Sequence, residues 1–357
     1  MHHRLAELGW DPAWESVLAT VPHDGLALAR VAVEHRGAYR VYTVDGEALA
    51  TVSGRLRHAA RTPAHLPAVG DWVLLRDAVI HGVLPRRTAF VRKVALTATE
   101  EQVVAANADV VFVVAALDTD MNFRRLERFL TFAYESGAEP VVLLTKADLC
   151  GDLPGAVEAA RAVAPGTPVH ALSARNGEGL EAFDRYCRSG RTAVLLGPSG
   201  VGKTTLLNVL TGEDRSTAEI LQDGRGRHTT TRRELVLVAG RGLVMDTPGL
   251  RELQLWEADA GRDTAFADLA ALAHTCQFAD CRHEREPGCA VGEAIRTGAL
   301  PVERLASYRK LEREELRATG HRRTRTKADA HQRWQNRKRR LLRHLRPLED
   351  DEPDGPP

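Results

Sequence analysis

The sequence predicts a multidomain protein with an N-terminal β-barrel, a central α/β domain and a C-terminal helical module. Three observations support this fold class: short strands separated by glycines, then strands that alternate with helices, then helical spacing around clustered Cys and His residues. The predicted units are an N-terminal segment (1–24), the barrel (25–93), the α/β domain (94–258), the helical module (259–316), a basic helical extension (317–346) and an acidic disordered tail (347–357).

Composition places the chain among ordinary globular proteins. Of its 357 residues, 43% are hydrophobic and 27% are charged, which excludes a wholly disordered chain. No apolar run approaches the ~18 residues that a membrane span needs, and the N-terminus lacks the apolar core of a secretory signal. The five cysteines, an odd number, argue against a disulfide framework. We therefore expect a cytoplasmic protein with no membrane partner. The protein is also expected to be a monomer.

The barrel is predicted from five short segments rich in strand-forming residues. Glycines and the Asp45-Gly46 pair separate these segments and provide the turns. Strands at such short spacing fit a small β-barrel, either an OB-fold or an SH3-like barrel. The predicted strands are Leu26–Val33, Tyr39–Val44, Ala48–Leu56, Asp71–Leu75 and Val79–Leu84.

The α/β domain begins with a continuous apolar segment, Val110–Ala115, as expected of a strand buried on both faces. Phe123, Leu126 and Leu130 follow with helical spacing, and Gly137 is placed to end that helix. This alternation predicts a sheet of parallel strands. The other predicted strands are Val141–Leu144, Val169–Leu172, Ala193–Leu196, Leu235–Val238 and Leu243–Met245.

A P-loop motif follows the strand Ala193–Leu196 and precedes a helical segment, which is the context that the motif requires. Its glycines let backbone N–H groups surround phosphates at the start of a helix. Lys203 is placed to reach the β- and γ-phosphates, and the Thr204 hydroxyl to bind Mg²⁺. The predicted phosphate-binding residues are Gly197, Pro198, Ser199, Gly200, Val201, Gly202, Lys203, Thr204 and Thr205.

Two further motifs favour guanine as the base. Thr145, Lys146 and Asp148 follow a strand and resemble the N/TKxD motif, whose Asp carboxylate accepts the N1–H and the N2 amine of guanine. Ser173 and Ala174 follow the next strand and resemble the SA[KR] loop, which contacts guanine O6. The P-loop also resembles that of ABC-type ATPases, but no LSGGQ-like signature follows it. The sequence therefore favours a GTPase over an ATPase.

Magnesium ligands are predicted in the sequence before and after the last two predicted strands, Leu235–Val238 and Leu243–Met245. Asp246 and Gly249 match the DxxG motif, in which the Asp holds Mg²⁺ through water and the Gly N–H contacts the γ-phosphate. The threonine run 229–231 lies between the P-loop and this motif, and Thr230 is the predicted switch ligand beside Thr204. Mg²⁺ bound with GTP is thus the expected cofactor.

The order of these motifs is unusual. An ordinary Ras-like GTPase places the P-loop first, whereas here the base-reading motifs precede it, which indicates a circularly permuted domain. Leu250 stands where Ras-like enzymes have the Gln that orients water, and a Leu side chain cannot form the hydrogen bond. Catalysis is therefore assigned to Lys203 and to His228, which lies beside the switch threonines.

The cysteines and histidines of the helical module have the composition of a structural zinc site. Cys276, Cys281, His283 and Cys289 supply three thiolates and one imidazole, a complete tetrahedral set with no position for a catalytic water. His274 lies near them and competes as the nitrogen ligand. The sequence thus predicts a C-terminal helical zinc-binding module with one structural Zn²⁺ per chain.

Charge is concentrated near the C-terminus. Residues 317–346 contain twelve Lys or Arg and one acid, a net charge of +11, although the whole chain carries +1. Residues 347–357 contain five acids and no base. A basic helix with Trp334 available for stacking fits contacts with rRNA, and a solvated charged helix is the alternative.

The barrel, the motif order and the Cys/His cluster together resemble the RsgA family (also called YjeQ) of circularly permuted, ribosome small-subunit-dependent GTPases. The resemblance extends from about residue 25 to about residue 315 and implies an OB-fold, a permuted GTPase domain and His283, rather than His274, as the zinc ligand. Departures are Thr145, where many GTPases have Asn, and Pro198. The matching segments are Gly70–Val73, Arg227–Thr231, Asp246–Glu252 and Phe266–Leu269.

The resemblance also implies a function. The protein is expected to bind the small ribosomal subunit and its rRNA, and to hydrolyse GTP to GDP as a checkpoint in late subunit maturation, with hydrolysis stimulated by the subunit. Two alternatives remain. A P-loop ATPase would differ in nucleotide competition, and an RNA-binding scaffold with a nucleotide switch would differ in having negligible turnover.

Overall fold

A computed structural model describes residues 3–35, 37–93, 101–118, 121–212, 233–246, 259–278, 280–284 and 286–314. Its strands are β1 (Ala27–Glu34), β2 (Tyr39–Thr43), β3 (Gly46–Val52), β4 (Trp72–Arg76), β5 (Val79–Val83), β6 (Ala89–Lys93), β7 (Glu101–Ala106), β8 (Val110–Ala116), β9 (Glu139–Thr145), β10 (Val169–Ala171), β11 (Thr192–Leu196), β12 (Glu234–Val238) and β13 (Gly242–Asp246). Its helices are α1 (His3–Glu7), α2 (Pro12–Leu18), α3 (Gly54–Ala59), α4 (Phe123–Glu135), α5 (Leu153–Val163), α6 (Glu181–Tyr186), α7 (Lys203–Thr211), α8 (Asp259–Ala265), α9 (Ala267–Ala273), α10 (Ala290–Arg296) and α11 (302–314). Within these ranges no helix is long and apolar enough to cross a membrane.

Five strands close into a barrel in the N-terminal part of the chain. In the order β1-β2-β3-β5-β4 each strand pairs with the next, and β4 pairs back onto β1. Closure leaves no unpaired edge between β1 and β4, and a small five-stranded barrel of this kind is an OB-fold. The OB-fold prediction is therefore confirmed over its SH3-like alternative.

The predicted strand Ala48–Leu56 was wrong at its C-terminal end. Strand β3 stops at Val52, and α3 begins at Gly54. The Ser53 side chain accepts a hydrogen bond from the backbone N–H of Leu56 at 3.2 Å, which caps the first turn of the helix. A serine cap thus ends the strand, and the residues that follow it, among them Arg55 and Arg57, begin a helix.

The two N-terminal helices pack on the barrel through tryptophans. The ring of Trp10 meets that of Trp72 edge-on at 4.9 Å between centroids, and it stacks on Trp14 at 6.1 Å. Trp72 is fully buried, so it belongs to the core and is not available to stack on a ligand. Residues of α1 and α2 are therefore part of the hydrophobic core that includes the barrel.

The central sheet has the order β10-β9-β8-β11-β13-β12. Its first five strands run parallel to one another, as predicted, and β11 lies between β8 and β13 with all five of its residues buried. The prediction of a wholly parallel sheet was wrong for β12, which runs antiparallel to β13. Only residues 239–241 connect these two strands, and a parallel pair needs a crossover of a dozen or more residues.

The barrel and the central sheet are hydrogen-bonded to each other. Strand β1 pairs with β12 at Val33 and Glu234, and the Tyr42 hydroxyl donates to the Leu235 carbonyl at 3.0 Å. The hairpin β6–β7 leads from the barrel into the α/β domain, and its connection, 94–100, lies outside the described residues. The eleven-stranded sheet is thus continuous from the barrel to β10.

A buried ion cluster, hereafter the Arg304 cluster, joins the C-terminal helices to α4. The Arg304 guanidinium donates to Glu127 of α4 at 2.8 Å and to Asp268 of α9 at 2.7 Å, and it lies over the Phe266 ring at 4.7 Å. The side chains of Arg304 and Glu127 are only 2% and 3% exposed, and burial raises the pKa of Glu127. Because a buried charge is costly when unpaired, these helices are held in one arrangement.

Candidate nucleotide-binding site and metal centre

The P-loop runs from the carboxyl end of β11 into α7, and its glycines are required by close packing and backbone conformation. A Cβ atom on Gly197 would lie 2.4 Å from the Val114 carbonyl oxygen, so no larger residue fits there. Gly200 and Gly202 have φ angles of +83° and +93°, which L side chains rarely adopt. The loop therefore places backbone N–H groups at the start of α7, where an anion is stabilised.

The side chain of Lys203 folds back against the backbone of this loop. Its side chain is buried, and Nζ donates to the carbonyls of Gly197 at 2.8 Å and Pro198 at 2.7 Å. Thr204 is half-buried beside it, and Thr205 is exposed on the first turn of α7. The lysine and the threonine thus occupy the two sequence positions from which a P-loop contacts phosphate and Mg²⁺.

The two predicted base-reading loops lie together at the same edge of the sheet. The Ser173 hydroxyl, after β10, donates to the Asp148 carboxylate at 2.6 Å, and the Ala147 N–H donates to the Leu172 carbonyl at 3.2 Å. Ala174 follows directly. The carboxyl ends of parallel strands meet at one edge, so β9 and β10 bring these loops side by side.

Thr145 connects the base-reading loop to the P-loop. Its side chain is buried at the end of β9, and its hydroxyl donates to the Val201 carbonyl at 2.6 Å. The next residue, Lys146, adopts the left-handed conformation with φ +59°. The hydroxyl therefore links the two loops at the position where many GTPases have Asn.

Asp118 lies at this site and was not among the residues predicted from the sequence. It follows β8, and its carboxylate forms an ion pair with Lys146 Nζ at 2.5 Å. This pair holds the Lys146 side chain in one direction beside the P-loop. An acidic residue directly after a buried parallel strand was the available signal, because the carboxyl ends of β8 and β9 are adjacent.

Asp246 lies at the same edge of the sheet. It is the last residue of β13, it is half-buried, and its Cα pairs in register with Leu195 of the P-loop strand. The other predicted residues of this part of the site, Thr230, Gly249 and His228, lie outside the described residues. The structure thus brings together the P-loop, both base-reading loops and the first residue of DxxG.

The four predicted metal ligands converge between α9 and α10. One ligand atom from each of Cys276, Cys281, His283 and Cys289 lies within 4.8 Å of the others. His283 has a φ of +59°, and its Nδ1 lies 3.5 Å from the sulfurs of Cys276 and Cys289. His274 ends α9 and is not a member of this group. The donor set and its spacing fit a closed tetrahedral metal site.

The local environment shifts the pKa values of these groups in different directions. Burial and the positive charge of Arg309 lower the pKa of His283, which keeps its imidazole neutral at pH 7. Burial opposes ionisation of Cys276, but the backbone N–H groups of Val291 and Ala290 outweigh it and lower the pKa of that thiol. Loss of hydration and the adjacent thiols raise the pKa of Cys281 to about 11. Crowded thiols of this kind ionise together only when a cation compensates their charge.

Comparison with known proteins gives consistent results. The family model described as RsgA GTPase matches residues 83–256. The chain is 46% identical over 331 residues to the small ribosomal subunit biogenesis GTPase RsgA of Opitutus terrae, covering 88% of this chain and 90% of that protein. It is 43% identical over 345 residues to the protein of the same name from Streptomyces coelicolor, covering 94% and 93% of the two chains.

Solved structures agree with the fold. The crystal structure of YjeQ from Thermotoga maritima is 27% identical, with a TM-score of 0.61 over 82% of this chain and 99% of that one. YloQ, a circularly permuted GTPase, is 23% identical with a TM-score of 0.57, which supports the fold alone. The permuted strand order and the extent of sequence identity over nearly the whole chain place the protein, as a GTP-hydrolysing enzyme, in the RsgA GTPase family.

Proposed function

We propose that this protein binds the small ribosomal subunit and hydrolyses GTP to GDP as a checkpoint in its late maturation, with hydrolysis stimulated by the subunit. The curated relatives are named for small ribosomal subunit biogenesis, which supports this role. The observation that carries the GTP-binding part of this proposal is the convergence of three loops, in which Ser173 donates to Asp148 and Thr145 donates to the P-loop carbonyl of Val201. GTP and GDP are the proposed ligands, and the proposed location is the cytoplasm, where the protein acts as a monomer.

The nucleotide would be held from both ends. Asp148 would accept hydrogen bonds from the guanine N1–H and N2 amine, with Lys146 along the base and the Ala174 N–H near O6. The P-loop amides and Lys203 would hold the phosphates. We assign Mg²⁺ to Thr204 and Thr230, with Asp246 acting through water, and contact with the γ-phosphate to the Gly249 N–H.

Catalysis would depend on positioning and electrostatics. Lys203 neutralises charge that develops on the phosphates, and no covalent intermediate is required. Leu250 occupies the position of the water-orienting Gln, so we assign that role to His228. A slow intrinsic rate and strong stimulation by a partner follow from this arrangement, because the water is poorly oriented in the free protein.

The Cys/His cluster is proposed to hold one structural Zn²⁺. Its four protein ligands leave no open position for water, so the metal would stabilise the module and take no part in hydrolysis. The module, the barrel and the basic extension 317–346 are proposed to contact the subunit and its rRNA. The +11 charge of the extension supplies the electrostatic part of that contact.

The test is GTP hydrolysis by the full chain with and without purified small ribosomal subunits. We expect a large increase in turnover with small subunits and none with an equal amount of large subunits, which controls for nonspecific rRNA binding. Equal turnover under all three conditions would contradict a subunit-stimulated checkpoint. ATP in place of GTP should neither compete nor be hydrolysed.

A further inference from the structure

A cavity of about 270 Å³ lies between the P-loop and the start of α4. One wall is formed by residues 198–201 of the P-loop, and the opposite wall carries Asn122, Arg125 and Phe129. Ser199 and Gly200, at the crest of the P-loop, are exposed on this side. The cavity therefore opens beside the loop that would hold the phosphates of the nucleotide.

The cations around the phosphate loop differ in their partners. Lys203 donates to two P-loop carbonyls, and Lys146 is paired with Asp118. Farther along α4, Arg128 forms an ion pair with Glu314 of α11 at 2.9 Å. Among the described residues, the guanidinium of Arg125 has no hydrogen-bond acceptor and no ion-pair partner. Among the cations that line this cavity, Arg125 is thus the one whose charge is not compensated by a carboxylate of the described residues.

The helix that carries Arg125 is fixed in place although the side chain itself is exposed. The Asn122 side chain caps α4 by accepting the backbone N–H of Arg125 at 3.0 Å. Leu126 and Leu130 are buried in the core, and Glu127 belongs to the Arg304 cluster. A helix anchored in the core therefore presents an exposed guanidinium to the cavity, and the positive end of the helix dipole points the same way.

We infer that Arg125 is a catalytic arginine supplied from within the chain, whose guanidinium contacts the terminal phosphates of GTP in the transition state. The inference rests on the proposed nucleotide site. When water attacks the γ-phosphorus, a new P–O bond forms, the bond to the β–γ bridging oxygen breaks with its electron pair staying on that oxygen of GDP, and the water gives up a proton to the phosphate product or the solvent. A guanidinium at this point stabilises the negative charge that accumulates on the bridging and γ-phosphate oxygens.

The neighbouring residue Arg124 provides a matched control. It has the same charge, lies on the same turn of α4 and is exposed, but it does not line the cavity. The experiment compares the parent with Arg124→Ala, Arg125→Ala and Arg125→Lys. For each, we would measure the single-turnover rate at saturating GTP, the affinity for GDP, the affinity for GDP with aluminium fluoride, and the melting temperature.

We expect Arg125→Ala to lower the hydrolysis rate by about 100-fold, the usual effect of losing one transition-state donor. Its affinity for GDP with aluminium fluoride, which mimics the transferred phosphoryl group, should fall by a similar factor, while affinity for GDP changes by less than about twofold. Arg125→Lys should be intermediate, because Lys keeps the charge and loses the planar fork. Arg124→Ala should behave as the parent.

Parent-like rates and aluminium fluoride affinity in Arg125→Ala would overturn the inference, and so would an equal loss of GDP affinity, which would indicate a ground-state contact. If Arg125→Ala melts at a lower temperature, Arg125→Lys decides the question, since it keeps the packing of the aliphatic stem. A parent protein that does not bind GTP would instead contradict the proposed nucleotide site.

Discussion

At the scale of single residues, we propose that the carboxylate of Asp148 determines which base the protein accepts. The Ser173 hydroxyl donates to one of its oxygens at 2.6 Å and fixes its orientation. Guanine presents two donors to such a carboxylate, whereas adenine presents an acceptor at N1. The choice of GTP over ATP is therefore assigned to one side chain and the hydroxyl that positions it.

We predict that Asp148→Asn weakens GTP binding and favours xanthosine triphosphate, whose C2 carbonyl needs a donor. Loss of a charge-assisted pair of hydrogen bonds would cost ~3 kcal/mol in GTP binding. The measurement is the competition of GTP, ATP and xanthosine triphosphate for the site. Asp45→Asn, at the exposed turn between β2 and β3, is the control. An unchanged preference for GTP in Asp148→Asn would refute the assignment.

A second residue-scale prediction concerns Thr145. Thr145→Val keeps the shape of the side chain but removes the hydroxyl that donates to the Val201 carbonyl. A buried carbonyl without its donor costs about 1–3 kcal/mol, so the variant should melt at a lower temperature and bind GTP more weakly. Thr145→Ser, which keeps the donor, should bind GTP as the parent does. Equal GTP affinity in all three proteins would mean that the bond does not shape the P-loop.

At the scale of elements, the C-terminal module depends on interactions other than helix propensity. Helices α9 and α10 have seven residues each, too few to be stable alone in water. The Arg304 cluster attaches α9 to α4, and the Cys/His cluster joins α9 to α10. Loss of either connection is therefore expected to affect this module before the central sheet.

The protein should contain one zinc per chain by elemental analysis, and Cys281→Ser should lose it. Because metal binding supplies folding free energy here, α9 and α10 should then exchange their amide hydrogens much faster, while the central sheet stays protected. Cys150→Ser, which removes a thiol outside the cluster, is the control. Metal-free protein with fully protected α10 amides would disprove a structural zinc.

At the scale of the whole molecule, the permuted order of the motifs determines which part of the chain follows the DxxG motif. The segment after DxxG leads directly into the C-terminal module, not into the base-reading loops as in the unpermuted order. Helix α4, which begins beside the P-loop, contacts that module through the Arg304 cluster and through the Arg128–Glu314 ion pair. Two connections thus join the nucleotide site to the proposed subunit-binding surface. One is the chain segment after DxxG, and the other is helix α4.

Binding to the small subunit should depend on the charged C-terminus. Truncation after Leu316 removes twelve bases and should flatten the decrease of affinity with salt, because fewer counterions are released. Removal of 347–357 alone should leave affinity equal or higher, since five acids no longer shield the bases. The measurement is subunit affinity at several salt concentrations, with GTP affinity as the control. Identical salt slopes for all three chains would place the contact on the barrel and the zinc module.

The sequence alone determined much of the candidate site, because its motifs are short and local. A P-loop needs only its glycines, a lysine and a threonine in succession, so Gly197 to Thr204 could be read without the fold. The strands of a small barrel, the permuted motif order and the four clustered Cys and His residues were predictable in the same way, whereas the choice of an OB-fold over an SH3-like barrel was implied only by the family resemblance. The assigned roles of His228 and Thr230 stay predictions.

Only the tertiary structure decided how distant segments meet. The pairing of β1 with β12 joins the barrel to the central sheet, and the ion pair of Asp118 with Lys146 follows from the adjacency of β8 and β9. The Arg304 cluster joins residues more than a hundred positions apart. Such contacts leave no local pattern, because a buried ion or hydroxyl is stabilised by partners that the chain brings near only after its strands have paired.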